Sequence, residues 1–298
     1  MISDKKNKIL FVGSVHFSYK MLEFLIKNKF NICAVLTKKR KIYKSDYADL
    51  TNLAKKNGIN SFYINDINGK KSFITIKKFR PDYIFCLGWS QILKKRIIKL
   101  VNNNVIGFHP SDLPQNRGKH PIIWSLVNGL KKTASTFFLI DEGIDTGKII
   151  SKRKIKISNT DDARSLYKKI ILNAKNQLKF IFADLKRMKF KRKEKREKSN
   201  YWRKRSYFDG QIDWRMAASS INNLVRALSK PYDGAHFKFK NKDYKILKTK
   251  VIKSSDKNLE AGKIFRVKKN VPMVKCGIDA IKIVKCDPKI KFKINTYL

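Results

Sequence analysis

Three features of this chain predict an α/β protein: an open, mostly parallel sheet with helices on both faces, followed by a small β-barrel. Short apolar runs alternate with segments of helical periodicity through most of the sequence. Gly or Pro closes many of those runs, as expected at strand ends. Toward the C-terminus, short strand-like runs separated by turn residues take over, which is the pattern of a small barrel.

The elements follow in order. Ile9-Leu-Phe-Val-Gly13 reads as a buried parallel strand, and apolar residues at 21, 22, 24, 25 and 26 predict a helix over 17–28 packed on one face. Residues 30–36 form a second strand. A basic loop at 37–46 leads to a helix that turns Leu50, Leu53 and Ala54 inward, with Gly58 where its C-cap belongs. A third strand at 60–64, a helix through 74–79, a fourth strand at 80–88 and a helix over 91–101 come next. Residues 104–108 are a fifth strand. A helix starts at Pro121, residues 134–140 form another strand, and 148–157 continue extended after a tight acidic loop. Asn159 or Thr160 is the expected cap of a helix carrying Leu166, Ile170, Leu178 and Ile181. Lys186–Arg205 is the most basic tract and reads as an exposed linker or a solvated helix extension. Residues 213–228 have helical spacing. Short strands are expected at 235–239, 244–247, 262–267, 271–275 and 280–284.

At 298 residues, 42% of them hydrophobic, the chain can bury a core and form two domains. No apolar run approaches the roughly 18–20 residues of a membrane span, and the N-terminus enters a strand with no signal-peptide core, so a cytoplasmic protein is expected. The cysteines at 33, 86, 276 and 286 have neither CxxC nor Cys/His spacing, so no metal or disulfide is expected. The net charge of +46 favours anionic partners in a salt-dependent way. Scattered lysine among Asn, Ile, Phe and Tyr also fits AT-rich codon usage, so charge alone does not single out RNA.

In an open parallel sheet, ligands bind beyond the carboxyl ends of the strands. Gly13, Gly88 and the loop after Phe108 should gather there. The turn after the first strand, Gly-Ser-Val-His-Phe-Ser, lacks GxGxxG spacing, so a dinucleotide site is not indicated. The loop Phe108-His-Pro-Ser-Asp-Leu-Pro-Gln-Asn-Arg-Gly-Lys-His-Pro121 is dense in Gly and Pro and carries His109 directly after a buried strand. A histidine so placed suits proton transfer; the plainer reading is a surface histidine in a turn. A second loop, Asp141-Glu-Gly-Ile-Asp-Thr-Gly147, supplies carboxylates, and there the plainer reading of Asp145 is an Asx-turn residue.

Together these two loops resemble the folate-dependent formyltransferases, whose signature is His-x-Ser-x-Leu-Pro, then Arg-Gly and Pro, joined by Asp-x-Gly-x-Asp-x-Gly. The matches are His109, Ser111, Leu113, Pro114, Arg117 and Gly118, then Asp141, Gly143, Asp145 and Gly147. Residues 209–214, 223–228, 231–235 and 261–264 also follow the family's C-terminal pattern. The resemblance implies a Rossmann-like formyltransferase domain at 1–185, a basic linker at 186–207 and an OB-like barrel domain at 208–298.

It also implies the chemistry. An amine would attack the formyl carbon of 10-formyltetrahydrofolate as co-substrate, with no metal. His109 would donate to the developing oxyanion and deliver a proton to the folate nitrogen, while Asp145 would pair with His109 or take the amine proton through water. Leu87, Gly88, Trp89 and Ser90, with Ile140, Asp141, Glu142 and Gly143, would hold the pteridine. Ser111, Arg117 and Gly118 are the candidate acceptor-binding residues. The chain departs from the family at Gly107, where an Asn normally stands two residues before the histidine. Loss of one oxyanion donor typically costs about 10²–10³ in rate. A displaced donor such as Ser111 or Asn104, altered geometry or a changed reaction would each account for the substitution.

The resemblance leaves several acceptors open. The loop at 38–45 has no Pro or Gly and is short for the family's tRNA enzymes, and Ser14-Val-His-Phe17 departs from their first turn. These features favour a nucleotide-linked amino sugar, with methionyl-tRNA as the alternative and a non-catalytic folate- or RNA-binding homologue as a third reading. A homodimer is a candidate assembly.

Overall fold

The strand β1 (Asp4–Val12) lies in the interior of a seven-stranded sheet. In this computed structural model the described residues are 4–39, 46–186, 198–254, 256, 258–289 and 291–298. Residues 40–45 of the basic loop and 187–197 of the basic tract therefore lie outside them. The chain divides into two compact units, one of Met1–Gly118, Thr133–Ile155 and Lys168–Trp202, the other of Lys119–Lys132, Lys156–Tyr167 and Arg203–Leu298.

In the first unit, α1 (His16–Lys27) follows β1, then β2 (Phe30–Thr37), α2 (Thr51–Lys56), β3 (Asn60–Tyr63), α3 (Lys70–Phe79), β4 (Tyr83–Cys86), α4 (Lys95–Lys99) and β5 (Val105–His109). After β6 (Arg117–Gly118) the chain passes through α5 (Pro121–Val127), which belongs to the second unit, and returns for β7 (Lys132–Leu139), β8 (Ile149–Lys156), α6 (Ala163–Lys186, its first residues to Tyr167 in the second unit) and β9 (Tyr201–Trp202). The sheet order is β3-β2-β1-β4-β5-β7-β8. The first five of these strands run parallel, and β7 joins β5 antiparallel. The chain steps outward from β1 to β3 and then crosses back to β4, so the strand order reverses between β1 and β4. A crevice beyond the carboxyl ends of such a pair is the usual ligand position. The register matches Val12 with Cys86 and Cys86 with Gly107, so Gly13, Leu87 and Phe108 lie level at one edge of the sheet, where β5 runs on to His109 beside β7.

Helices cover both faces, which is why the strand runs are apolar throughout rather than alternating. On one face Leu10, Val12, Ile84, Cys86 and Val105 are buried with Ile76 of α3 and Ile97 and Ile98 of α4. On the other, Phe85 stacks on Phe182 of α6 at 5.4 Å between ring centroids, and Phe182 also stacks on Phe30 at 3.7 Å. Phe85 is completely buried, a position whose side chain is worth about 1.5–3 kcal/mol in transfer free energy.

Helix ends follow local chemistry. Gly58 (φ +67°) closes α2 in a Schellman arrangement: its N–H donates to the Lys55 carbonyl at 3.1 Å, and the Ile59 N–H donates to Ala54 at 3.0 Å. The expected helix over 91–101 shortens to α4 because Gln91 binds the preceding loop. Its side chain accepts from Ile67 N–H (3.1 Å) and donates to the Asn65 carbonyl (3.0 Å), while Asn68 accepts from Lys94 N–H (2.8 Å). The expected cap of α6, Asn159 or Thr160, is corrected to Asp162. Its carboxylate accepts from Ser165 N–H at 2.8 Å and the Ser165 hydroxyl oxygen accepts from Asp162 N–H at 3.0 Å, a reciprocal box. Asp162→Ala should cost about 1 kcal/mol, read as a lower denaturant midpoint that Asp162→Asn largely restores. An unchanged midpoint would remove this box from the account of the helix start.

The second unit carries α7 (Ala218–Ala227), β10 (Ala235–Phe239), β11 (Lys242–Ile252), β12 (Ile264–Lys268), β13 (Val271–Lys275) and β14 (Ala280–Asp287). The strands form an antiparallel sheet in the order β10-β11-β14-β13-β12 around buried Phe237, Ile246, Val274, Ile281 and Ile283. The helix expected over 213–228 begins only at Ala218. Asp213 instead accepts from Arg215 N–H (2.9 Å) and pairs with its guanidinium (2.6 Å), which holds residues 213–216 in a turn. Among the described residues no helix is long and apolar enough to cross a membrane, and no cluster of His, Cys, Asp or Glu could hold a metal.

Candidate active site at the strand ends

Strand β5 delivers His109 to the carboxyl edge of the sheet with 5% of its surface exposed. Its Nε2 lies 2.9 Å from the Asn116 carbonyl oxygen, and its Nδ1 lies 3.5 Å from Oδ2 of Asp145. A carbonyl oxygen only accepts, so Nε2 carries a proton and Nδ1 is the nitrogen turned to the carboxylate. Both ring nitrogens thus face acceptor oxygens, an arrangement that a doubly protonated ring satisfies on both sides.

Asp145 reaches this position from a loop that ties itself together. The Asp141 carboxylate accepts from Gly143 N–H (3.1 Å) and from the Thr146 hydroxyl (2.5 Å), so the Asx turn in this loop belongs to Asp141. Asp145 sits in the left-handed region (φ +53°) and accepts from the Gly118 N–H at 3.0 Å through the same oxygen that faces His109.

The other predicted residues divide into groups. The Leu87 N–H donates to Val12 O at 2.9 Å, and Leu87 O accepts from the Ser18 hydroxyl at 2.5 Å, which anchors the 87–90 segment to the first turn. Trp89 packs on the same apolar cluster as Ile140, and the Lys38 ammonium stands 4.3 Å over its ring. Its Nε1 is buried with no hydrogen-bond partner among the described residues. Glu142 pairs with Lys95 at 3.7 Å, an exposed contact that brings the acidic loop beside α4. Ser111 is fully buried; its hydroxyl donates to Gln115 O at 3.0 Å and its carbonyl accepts from Thr136 at 2.7 Å, so it braces the loop from within. The Arg117 guanidinium donates to Tyr201 Oη at 3.1 Å.

Gly107 is filled from outside. A Cβ there would lie 2.7 Å from Ile140 Cγ1 and 3.0 Å from Phe138 Cζ. The space in which an asparagine would begin therefore belongs to Ile140. Asn104 is excluded as a displaced donor, because it precedes β5 and lies about 17 Å along the strand from His109 at about 3.3 Å per residue. Asn116 and Asn200 escaped the sequence reading: one acts through its carbonyl, and the other belongs to a pairing of two-residue strands with no period to detect.

A family profile described as Formyl transferase matches residues 6–179, and a second, described as Formyl transferase, C-terminal domain, matches residues 205–297. The chain is 31% identical over 299 residues to the methionyl-tRNA formyltransferase of Caldanaerobacter subterraneus subsp. tengcongensis, covering 98% of this chain and 96% of that protein. Two solved structures share its fold with a TM-score of 0.69. One is WlaRD, a sugar 3N-formyl transferase crystallised with dTDP and 5-N-formyl-THF (21% identity, 96% of this chain and 100% of that one). The other is the N-formyltransferase of Helicobacter canadensis with folinic acid and dTDP-3-aminofucose (22% identity, 93% of this chain and 99% of that one). With both domain profiles matched in order and a relative aligned along nearly its whole length, the chain belongs to the formyltransferase family.

Proposed function

We propose that this chain transfers a formyl group from 10-formyltetrahydrofolate to the amine of methionyl-tRNA, with residues 1–185 carrying the reaction and 208–298 forming a second domain that helps to bind the acceptor. The observation that carries the reaction type is the buried His109 with Asp145 3.5 Å from Nδ1 at the carboxyl edge of β5. The co-substrate fits the residues present: Trp89 and Ile140 offer apolar surface on one cluster, and the buried Trp89 Nε1 is an uncommitted donor. When bound, it supplies a formyl carbon activated by its bond to nitrogen. His109 holds a ring proton on Nε2 at the strand end, and in transfer that proton leaves its contact with the Asn116 carbonyl for the oxygen or the leaving nitrogen of the reacting group. Asp145, 3.5 Å from Nδ1, pairs with the ring when it is protonated and is an acceptor close to it for the proton that an attacking amine gives up. Gly118 N–H keeps that carboxylate turned toward the ring.

For the acceptor, the full-length relative is named for methionyl-tRNA. Charge supports the same reading. On β11 and β14, Lys248 faces Lys285 and Lys250 faces Lys282 across the strands. Like charges placed directly opposite destabilise a sheet, and a polyanion laid on them would relieve that repulsion. An amino sugar, which the short loop at 38–45 favours, is the competing acceptor.

The test is tetrahydrofolate release from 10-formyltetrahydrofolate with methionyl-tRNA or a dTDP-linked amino sugar as the amine. Turnover is expected with methionyl-tRNA, with KM rising steeply with salt as counterion release requires. Turnover with the amino sugar alone would overturn the acceptor assignment, and turnover with neither would overturn the reaction.

A further inference from the structure

The 116–118 stretch touches both members of the proposed reacting pair. The Asn116 carbonyl accepts from His109 Nε2 at 2.9 Å, and the Gly118 N–H donates to Asp145 at 3.0 Å. A three-residue stretch of loop cannot hold such positions unaided. It is held from its other side by residues far along the sequence. The Asn200 side-chain oxygen accepts from Asn116 N–H at 2.9 Å, and the Asn200 carbonyl accepts from Arg117 N–H at 3.1 Å. β6 then pairs in parallel with β9, Arg117 beside Tyr201 and Gly118 beside Trp202.

Gly118 is shaped to this partner. It sits at φ +98°, and a Cβ there would run into the Trp202 carbonyl oxygen. Asn200 and Tyr201 are exposed, Tyr201 by 54%. Core burial therefore does not account for this pairing, whereas its hydrogen bonds fall on Asn116, which holds His109, and on Arg117, the residue between Asn116 and the Gly118 that holds Asp145.

We propose that Asn200–Trp202 is a positioning clamp for formyl transfer, with the Asn200 side chain fixing the Asn116 carbonyl against His109. The clamp rests on the reading of His109 and Asp145 as the reacting pair. Asn200 touches neither substrate nor reacting atoms; it acts through Asn116, and its carboxamide oxygen is the operative atom. The residue is therefore replaceable by aspartate, which keeps an acceptor at the same place, and not by alanine.

The full-length protein is compared as wild type, Asn200→Ala, Asn200→Asp and His109→Ala. In Asn200→Ala, kcat should fall on the order of 10- to 100-fold with KM for both substrates unchanged, as misplacement of a reacting group by a fraction of an ångström to an ångström allows. Asn200→Asp should return kcat to near wild type. The His109 ring ¹⁵N signals of the substrate-free protein should move in the alanine variant and not in the aspartate variant. An Asn200→Ala protein with wild-type kcat and unmoved ring signals, alongside an inactive His109→Ala, would overturn the clamp and leave the reacting pair standing. Equal losses in the alanine and aspartate variants would also overturn it, because a general structural defect would then explain both. Full activity in His109→Ala would overturn the reacting pair and the clamp's role in transfer, and the ring signals would still decide whether Asn200 sets the imidazole.

Discussion

His109→Ala is expected to lower kcat for formyl transfer by about 10²–10⁴, the range for losing a positioned general acid, with little change in KM. The side chain is buried at the end of β5 and is the group whose Nδ1 faces the Asp145 carboxylate. Removing it takes away the proton donor and also leaves Asp145 and the Asn116 carbonyl facing a small cavity. Two losses are therefore superimposed, and they separate experimentally. His109→Gln keeps a side-chain N–H for Asn116 O but cannot shuttle a proton, so it should preserve stability better than alanine while remaining as slow. Single-turnover rates with saturating co-substrate, beside circular dichroism of each variant, distinguish the two. A folded His109→Ala protein within tenfold of the wild-type rate would remove the histidine from the chemistry.

Gly107→Asn carries the second large effect, and its direction is counter to intuition. It restores the side chain that the resemblance to the formyltransferases implies at this position, yet it should destabilise this protein by about 1–3 kcal/mol, the usual range for overpacking a filled core. The reason is Ile140, whose Cγ1 would meet the new Cβ at 2.7 Å. Pairing the change with Ile140→Ala should recover part of that loss, with an interaction energy of about 0.5–3 kcal/mol in a double-mutant cycle. If the restored amide then reaches the developing oxyanion, kcat in the double variant should rise, with about 10²–10³ as the ceiling for one donor. Wild-type stability in Gly107→Asn, or strict additivity in the cycle, would show that Ile140 does not occupy the place of the missing side chain.

The sheet was legible in the sequence because β1, β2, β4 and β5 are buried on both faces, so each reads as an unbroken apolar run between Gly or Pro signals. His109 and Asp145 were legible as a pattern of residue types around punctuated loops. What escaped was settled by single polar side chains with local alternatives. Gln91 and Asp213 each bind backbone or side-chain partners that a helix would have denied them, and both predicted helices begin late. The cap of α6 slipped to Asp162 because the run Asn-Thr-Asp-Asp offers four residues of capping type, and only Asp162 has a serine three residues on to complete the box. β11 extends five residues past its expected end at Leu247, since lysines at 248 and 250 occupy the exposed positions of the alternation and mask its apolar half. The β6–β9 pairing has two residues on each side, too few to carry a period.

That last pairing also bears on when the protein becomes competent. The Asn116–Asn200 bond spans 84 positions, so a ribosome delivers β1 to β8, His109 and Asp145 well before the residues that fix the loop between them. Domains form as they emerge during synthesis, and contacts of high sequence separation close last. The sheet and its histidine should therefore be in place on a nascent chain whose loop still lacks its register. Competence for transfer is expected as a late event in the birth of the molecule, reached only once residue 202 has cleared the exit tunnel.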